Sequence, residues 1–277
     1  MTTDLYCLLG NPVEHSQSPW IHARFAELTA QDLRYEKRLV PLDGFARAVA
    51  ELRREGGKGC NITVPFKFEA APLATQLTPH AELAGACNTL RFDGDEVFAD
   101  NTDGVGLVAD ITRNAGVDLK RADVLLIGAG GAAAGVLGPL IEAGARRIAV
   151  ANRTQSKAAM LVERHAALAQ QHGMKLEAPE LYQVQDDFDI VINATASSLS
   201  GEGVPVSGRV LKRRALAYDM MYGPAAKGFM DWATENGAVA RDGLGMLVEQ
   251  AAESFFTWRG IRPPSSQVLS ELRASLA

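Results

Sequence analysis

Short apolar runs alternate with stretches of helical spacing along the first hundred positions. Residues 5–9, 35–40, 59–64, 89–92 and 97–99 are short stretches of strand length, rich in apolar, aromatic or β-branched positions, and predict β-strands. Residues 19–29 and 44–54 repeat their apolar positions at helical intervals. Residues 66–85 predict a further helix, broken near Pro72 and Pro79. Residues 103–115 predict a helix leaving this α/β unit, and Gly116-Val-Asp-Leu-Lys reads as a linker. The pattern then restarts: strand 124–128, helix 131–144, strand 147–151, helix 156–172, strand 189–193 and strand 216–219. Strand, helix and strand within about 30 residues is the size of a βαβ unit of a doubly wound parallel sheet. The tail, 244–260 and 264–276, returns to helical spacing.

The expected fold is therefore α/β with two domains, an N-terminal α/β domain and a Rossmann-like doubly wound domain. A length of 277 residues is enough for two cores. Apolar residues make up 47% and charged residues 22%, ordinary values for a globular chain. The net charge of -5, with no Lys/Arg stripe interleaved with aromatics, argues against a nucleic-acid partner. Every long apolar stretch is broken by glycine or charge, which argues against a membrane span. The N-terminus lacks the basic and apolar regions of a secretory signal, so a cytoplasmic protein is expected. Cys7, Cys60 and Cys87 have no C-x-x-C spacing and predict buried thiols in a reducing compartment. The five histidines show no shared metal spacing, so no metal is expected.

Gly128-Ala129-Gly130-Gly131-Ala132-Ala133 follows a predicted strand and opens a predicted helix, matching G-x-G-x-x-A. Glycines there permit a tight turn and close backbone approach to a pyrophosphate, while the helix start offers free N–H groups and its positive dipole end. An NAD site carries an acid about 20 residues further on, for the ribose 2′-OH. Here the second strand ends instead in Asn152-Arg153-Thr154, followed by Lys157. Neutral Asn152 and Thr154 can hydrogen-bond a 2′-phosphate and Arg153 can pair with it, so NADP is the expected cofactor.

Three polar segments in the first half fall just after or between predicted strands, where open α/β sheets bind ligands. They are Gly10-Asn-Pro-Val-Glu-His-Ser-Gln-Ser-Pro19, Asn61-Ile-Thr-Val-Pro-Phe-Lys67, and the pair Asn88-Thr89 with Asn101-Thr-Asp-Gly104. Taken singly they have bland readings: Ser18 as a helix cap, Lys67 as a solvated helix lysine, Asp103 as an N-cap.

Taken together, S-x-S-P, N-x-T-x-P-x-K, N-T, N-T-D-G, the glycine loop, N-R-T, N-A-T, Tyr218-Asp-Met-Met-Tyr222 and Asp242-Gly-Leu-Gly-Met-Leu-Val-Glu-Gln-Ala251 resemble the motif set of shikimate dehydrogenases, from Gly10 to about Gly260. The resemblance implies reversible NADPH-dependent reduction of 3-dehydroshikimate to shikimate, within chorismate and aromatic amino-acid biosynthesis. It implies a substrate domain of residues 1–103 plus 244–277, with the C-terminal helices packed back on it. The NADP-binding domain would be residues 104–243, and the protein a monomer or homodimer. Residue by residue, it implies that Ser16, Ser18 and Thr63 hold the substrate carboxylate. Asn88, Asp103 and Gln250 would meet the ring hydroxyls, Lys67 with Asp103 would be catalytic, and Tyr222 a further substrate contact. Gly128 to Ala132, Asn152, Arg153, Thr154 and Lys157 would meet phosphates and ribose, and Met220 and Gly243 the nicotinamide.

Hydride transfer to a ketone leaves charge on its oxygen, and a lysine ammonium in hydrogen-bond reach can supply the proton. The chain departs from the family pattern at Lys157, where Arg is usual, and at Lys227-Gly-Phe229, expected to form a loop. Two other readings stay open at this level: a quinate or quinate/shikimate paralogue, and an NADP-binding sensor without catalysis.

Overall fold

The computed structural model describes residues 3–185, 187–195 and 203–276. The chain forms two compact units, Met1–Gly106 with Leu247–Ala277, and Leu107–Met246. It changes unit inside two helices, Asp103–Ala109 and Leu244–Arg259. Gly116 to Lys120 is thus not a linker: Leu119 is buried, and the Val117 N–H donates to the Ile111 carbonyl within the second unit.

The first unit is built on β1 (Asp4–Gly10), β2 (Leu33–Leu39), β3 (Gly59–Ile62), β4 (Gln76–Leu77), β5 (Thr89–Asp93) and β6 (Glu96–Asp100). They form one sheet in the order β2-β1-β3-β5-β6-β4. Strands β2, β1 and β3 run parallel, whereas β5 runs antiparallel to both β3 and β6. Strand β1 is buried along both faces, as its unbroken apolar run requires, while β2 at the edge alternates with solvent. This topology has a direct consequence for function. The C-terminal ends of β1, β3 and β6 and the start of β5 all lie along the same edge of the sheet. The loops carrying Ser16, Ser18, Thr63, Lys67, Asn88 and Asp103 follow or precede those ends.

The expected helix at 66–85 resolves into Lys67–Ala70, a 3-10 turn at Ala71–Leu73, strand β4, and helix Pro79–Ala84 capped by the Thr78 hydroxyl. Both prolines interrupt it, because proline lacks the donor an interior helix turn needs. Phe66 is fully buried and stacks on Phe45 at 5.1 Å, which anchors the backbone immediately before Lys67. Such a pair contributes about 0.5–1.5 kcal/mol beyond its burial. Ser18 is not the cap of its helix: Gln17 occupies that position and Ser18 is the first helical residue.

In the second unit β7 (Asp123–Ile127), β8 (Arg147–Ala151), β9 (Lys175–Glu177), β10 (Phe188–Asn193), β11 (Leu211–Asp219) and β12 (Val239–Arg241) are all parallel, in the order β12-β11-β10-β7-β8-β9. This is the doubly wound order, with the reversal between β7 and β10. Strands β9 and β12 escape the sequence pattern because each is three residues long and partly exposed. Lys227-Gly-Phe229 opens the helix Lys227–Glu235 rather than a loop, since Phe229 is buried in the core beside Leu125, Val191 and Ala217. Residues 110–114 wind as a π-helical turn after Asp103–Ala109. Its Asp110 is fully buried and accepts hydrogen bonds from Arg241 and Tyr218.

Candidate functional site

At the shared edge of the first sheet the structure gathers a polar cluster with few degrees of freedom. Lys67 Nζ pairs with Asp103 Oδ2, and Asp103 Oδ1 accepts from Asn88 Nδ2 at 2.9 Å. Asn88 Nδ2 also lies 2.9 Å from Thr102 Oγ1 and 3.2 Å from Gln250 Oε1. Asn88 is 2% exposed and Asp103 4% exposed, so neither can exchange these partners for bulk solvent. Asn101 holds the turn by donating to the Ala86 carbonyl and accepting from the Asp103 N–H. Gln250 comes from the helix Leu244–Arg259, which contributes most of its length to this unit. The Gln250 amide donates to the Leu247 carbonyl one turn back, which aims Oε1 at Asn88.

On the same edge Ser16 Oγ lies 3.2 Å from both Ser18 Oγ and the Ser18 N–H, so the two hydroxyls form one patch. Thr63 directly follows β3, and its N–H donates to the Leu9 carbonyl at 3.0 Å. The structure thus brings Ser16, Ser18, Thr63, Lys67, Asn88, Asp103 and Gln250 into one unit. Tyr222 lies in the other unit, at the start of a 3-10 turn, Gly223–Ala226. An ammonium, a carboxylate, amides and hydroxyls can together hold a polyhydroxylated acid and move a proton at one of its oxygens. His15 is exposed. Among the described residues no group of three or more His, Cys, Asp or Glu could hold a metal. No described helix is long and apolar enough to cross a membrane. The cysteines are free and buried, and burial pushes the Cys7 and Cys87 thiols up to about 12.

The second unit carries a cradle at the switch point of its sheet. Gly128 has φ +117°, and a Cβ there would sit 3.0 Å from the Ala194 carbonyl oxygen, so only glycine fits. Gly130 is the N-cap of the helix Gly131–Glu142, which has no side-chain cap and no acid in its first turn. Its first N–H groups thus lack intrahelical acceptors at a point left open beside Gly130, Gly131 and Ala132. Ala129 is partly exposed between the two glycines. At the end of β8, Asn152 donates to the Thr154 carbonyl. Thr154 is the N-cap of Gln155–Gln171, yet its hydroxyl makes no capping bond, and again no acid stands in the first turn. Arg153 and Lys157 are exposed at that helix start, where cations oppose the dipole unless an anion is held. The residues present fit a phosphorylated dinucleotide: open backbone donors at Gly128 to Ala132, cations and hydroxyls at the end of β8. Met220 and Gly243 are brought together so closely that a Cβ on Gly243 would collide with the Met220 carbonyl oxygen.

Asn61, Thr89 and Thr102 lie inside the polar motifs without a role that spacing assigns, and Tyr35 and Ser254 lie outside them. Asn61 Nδ2 lies within 3.1 Å of the Asn88 carbonyl, Thr89 Oγ1 and Ser254 Oγ and shares its two hydrogens among them, while Tyr35 OH donates to Asn61 Oδ1. For Ser254 the available signal was its place one turn beyond Gln250 on the same helix.

Three family models match successive parts of the chain. Residues 8–90 match the shikimate dehydrogenase substrate binding domain, 110–201 the shikimate / quinate 5-dehydrogenase family, and 243–273 the shikimate 5′-dehydrogenase C-terminal domain. A protein of Acidovorax sp. (strain JS42) named shikimate dehydrogenase (NADP(+)) is 65% identical over 274 residues, covering 99% of this chain and 97% of that protein. The crystal structure of an Ael1 enzyme from Pseudomonas putida superposes with a TM-score of 0.86 at 41% identity, covering 97% of this chain and 98% of the other. Shikimate 5-dehydrogenase from Thermus thermophilus, in complex with NADP(H) and shikimate, gives 0.82 at 30% identity, covering 99% and 100%.

Proposed function

This chain belongs to the shikimate dehydrogenase family, and we propose that it catalyses the reversible reduction of 3-dehydroshikimate to shikimate with NADPH. The observation that carries the reading is the Lys67, Asp103, Asn88 and Gln250 cluster. It holds a proton donor among ligands for hydroxyls, on the sheet edge that also bears Ser16, Ser18 and Thr63. Those three hydroxyls hold the substrate carboxylate. Asn88, Asp103 and Gln250 take the ring hydroxyls, and Tyr222 is a further substrate contact. The bound dinucleotide contributes the hydride. Lys67 donates a proton to the oxygen on which charge develops, and recovers it in the reverse direction. Asp103 keeps the ammonium oriented. Gly128, Ala129, Gly130, Gly131 and Ala132 hold the pyrophosphate, Asn152, Arg153, Thr154 and Lys157 the 2′-phosphate, and Met220 and Gly243 border the nicotinamide.

The test follows NADPH absorbance with shikimate or quinate, each offered with NADP and with NAD. Turnover is expected with shikimate and NADP far above the other three pairs. Faster turnover with quinate or NAD would move the protein to the paralogue reading, and silence in all four would leave a cofactor-binding sensor. A second expectation isolates the cofactor argument. Arg153→Ala removes a charge-assisted contact and is expected to raise KM for NADP about tenfold, leaving KM for NAD unchanged. An equal rise for both dinucleotides would place Arg153 away from the 2′-phosphate.

A further inference from the structure

Beneath the catalytic pair lies a run of hydrogen bonds whose two ends take their direction from backbone groups. Asn61 Nδ2 lies 3.1 Å from the Asn88 carbonyl, which can only accept, so the Asn61 amide faces that way and its Oδ1 faces Tyr35. The Tyr35 hydroxyl must then donate, at 2.9 Å. At the other end the Thr102 N–H, which can only donate, lies 2.9 Å from Asn88 Oδ1 and turns Asn88 Nδ2 toward Asp103. Thr89 Oγ1 stands between, receiving from Asn61 Nδ2 at 3.0 Å and donating to Asn88 Oδ1 at 2.9 Å, an oxygen that can only accept, while Ser254 Oγ lies 2.8 Å to its side. The order is Tyr35 to Asn61 to Thr89 to Asn88 to Asp103, every bond pointing at the carboxylate. Thr89 is fully buried and Asn61 5% exposed, so water does not compete along the middle of the chain. Bonds aligned head to tail in a low-dielectric interior polarise one another.

We propose that Tyr35, Asn61 and Thr89 are positioning residues for the reaction: their one-way hydrogen-bond chain keeps the Asn88 amide donating to Asp103 Oδ1, and so holds Oδ2 toward Lys67. The link to catalysis rests on the function proposed above. Without the Thr89 hydroxyl, Asn88 Oδ1 loses a donor and the amide loses part of what fixes its sense. Asp103 is then less firmly aimed, although no group that touches substrate has been changed.

The test compares Thr89→Val, isosteric without the hydroxyl, with Thr89→Ser, which keeps it. Two readouts are taken on the full chain: kcat/KM with shikimate and NADP across pH, and hydrogen exchange of the Asn88 side-chain amide by NMR. Thr89→Val is expected to lose about tenfold in kcat/KM, the worth of one hydrogen bond, with a displaced pH profile and faster Asn88 exchange. Thr89→Ser is expected to restore both. Unchanged exchange in Thr89→Val, or equal losses in both variants with an unmoved pH profile, overturns the proposal in favour of plain packing. If the wild type itself is silent with shikimate, the functional reading fails while the exchange comparison still decides the chain. Should Thr89→Val not fold, Tyr35→Phe at its half-buried position decides by the same two readouts.

Discussion

Lys67→Ala is expected to lower kcat by about 10²- to 10⁴-fold, the range for loss of a positioned proton donor, with NADP affinity unchanged. The lysine is 14% exposed at its side chain and tied to Asp103, so no solvent-borne group stands ready to take its place. Cofactor affinity is a fair control because the proposed phosphate and ribose contacts all lie in the second unit. Lys67→Met separates charge from packing, since it keeps most of the stem and removes the ammonium. If proton donation is the role, both variants lose kcat alike. If Lys67 chiefly binds substrate, KM rises with kcat preserved. Steady-state kinetics with a fluorescence titration of NADP reads all of these. Unchanged activity in both variants would remove Lys67 from the chemistry and favour the sensor reading.

Acidification is expected to destabilise the first unit through one residue outside the reaction. His22 is fully buried with its ring 4.2 Å from that of Tyr35, stacked at 8°, and close to Phe255 and Trp258. Among the described residues neither ring nitrogen has a hydrogen-bond partner. Burial pushes its pKa down to about 3 from 6.5, against a smaller opposing influence of Asn61. The unfolded chain takes up a proton on His22 as pH falls through 6.5, while the folded chain refuses it until about 3. Between those values the unfolded state binds more protons, so stability is lost as pH falls, by up to about 1.4 kcal/mol per unit. Over the whole window the loss from this one group is of the order of 5 kcal/mol. Denaturant unfolding of wild type and His22→Phe between neutral and mildly acidic pH isolates it, because the phenylalanine ring keeps the stack and cannot titrate. The wild-type curve should fall more steeply below 6.5. Parallel curves would mean that the protonated ring finds a partner in the folded chain.

Much of this architecture is legible in the sequence. The unbroken apolar runs of β1 and β7 predict strands, and both are buried along their length, while the glycine run from Gly128 predicts the strand-to-helix turn that opens the helix Gly131–Glu142. The polar segments after β1 and β3, at the start of β5 and after β6 stand out beside strands in the sequence, and the fold gathers them along one edge of the first sheet. Pattern failed where the signal was too short or too polar to register. Strands β4, β9 and β12 span two or three residues, and Lys227–Glu235 hides its helical face behind glycine and charge. The switch of units within helices was invisible as well, because a helix keeps its period wherever its two ends pack.

The sequence alone determined which residue types are available to the site and their order along the chain, since those are local properties that spacing and chemistry reveal. Only the tertiary structure decided their company and their sense. Asn61 meets Ser254 across 193 positions and Asn88 meets Gln250 across 162. The direction of each amide was set by single backbone groups, the Asn88 carbonyl and the Thr102 N–H. Hydrogen bonds fall off within a few tenths of an ångström and depend on angle. Their pattern therefore follows from how the sheet and the returning helix pack, which local periodicity does not encode.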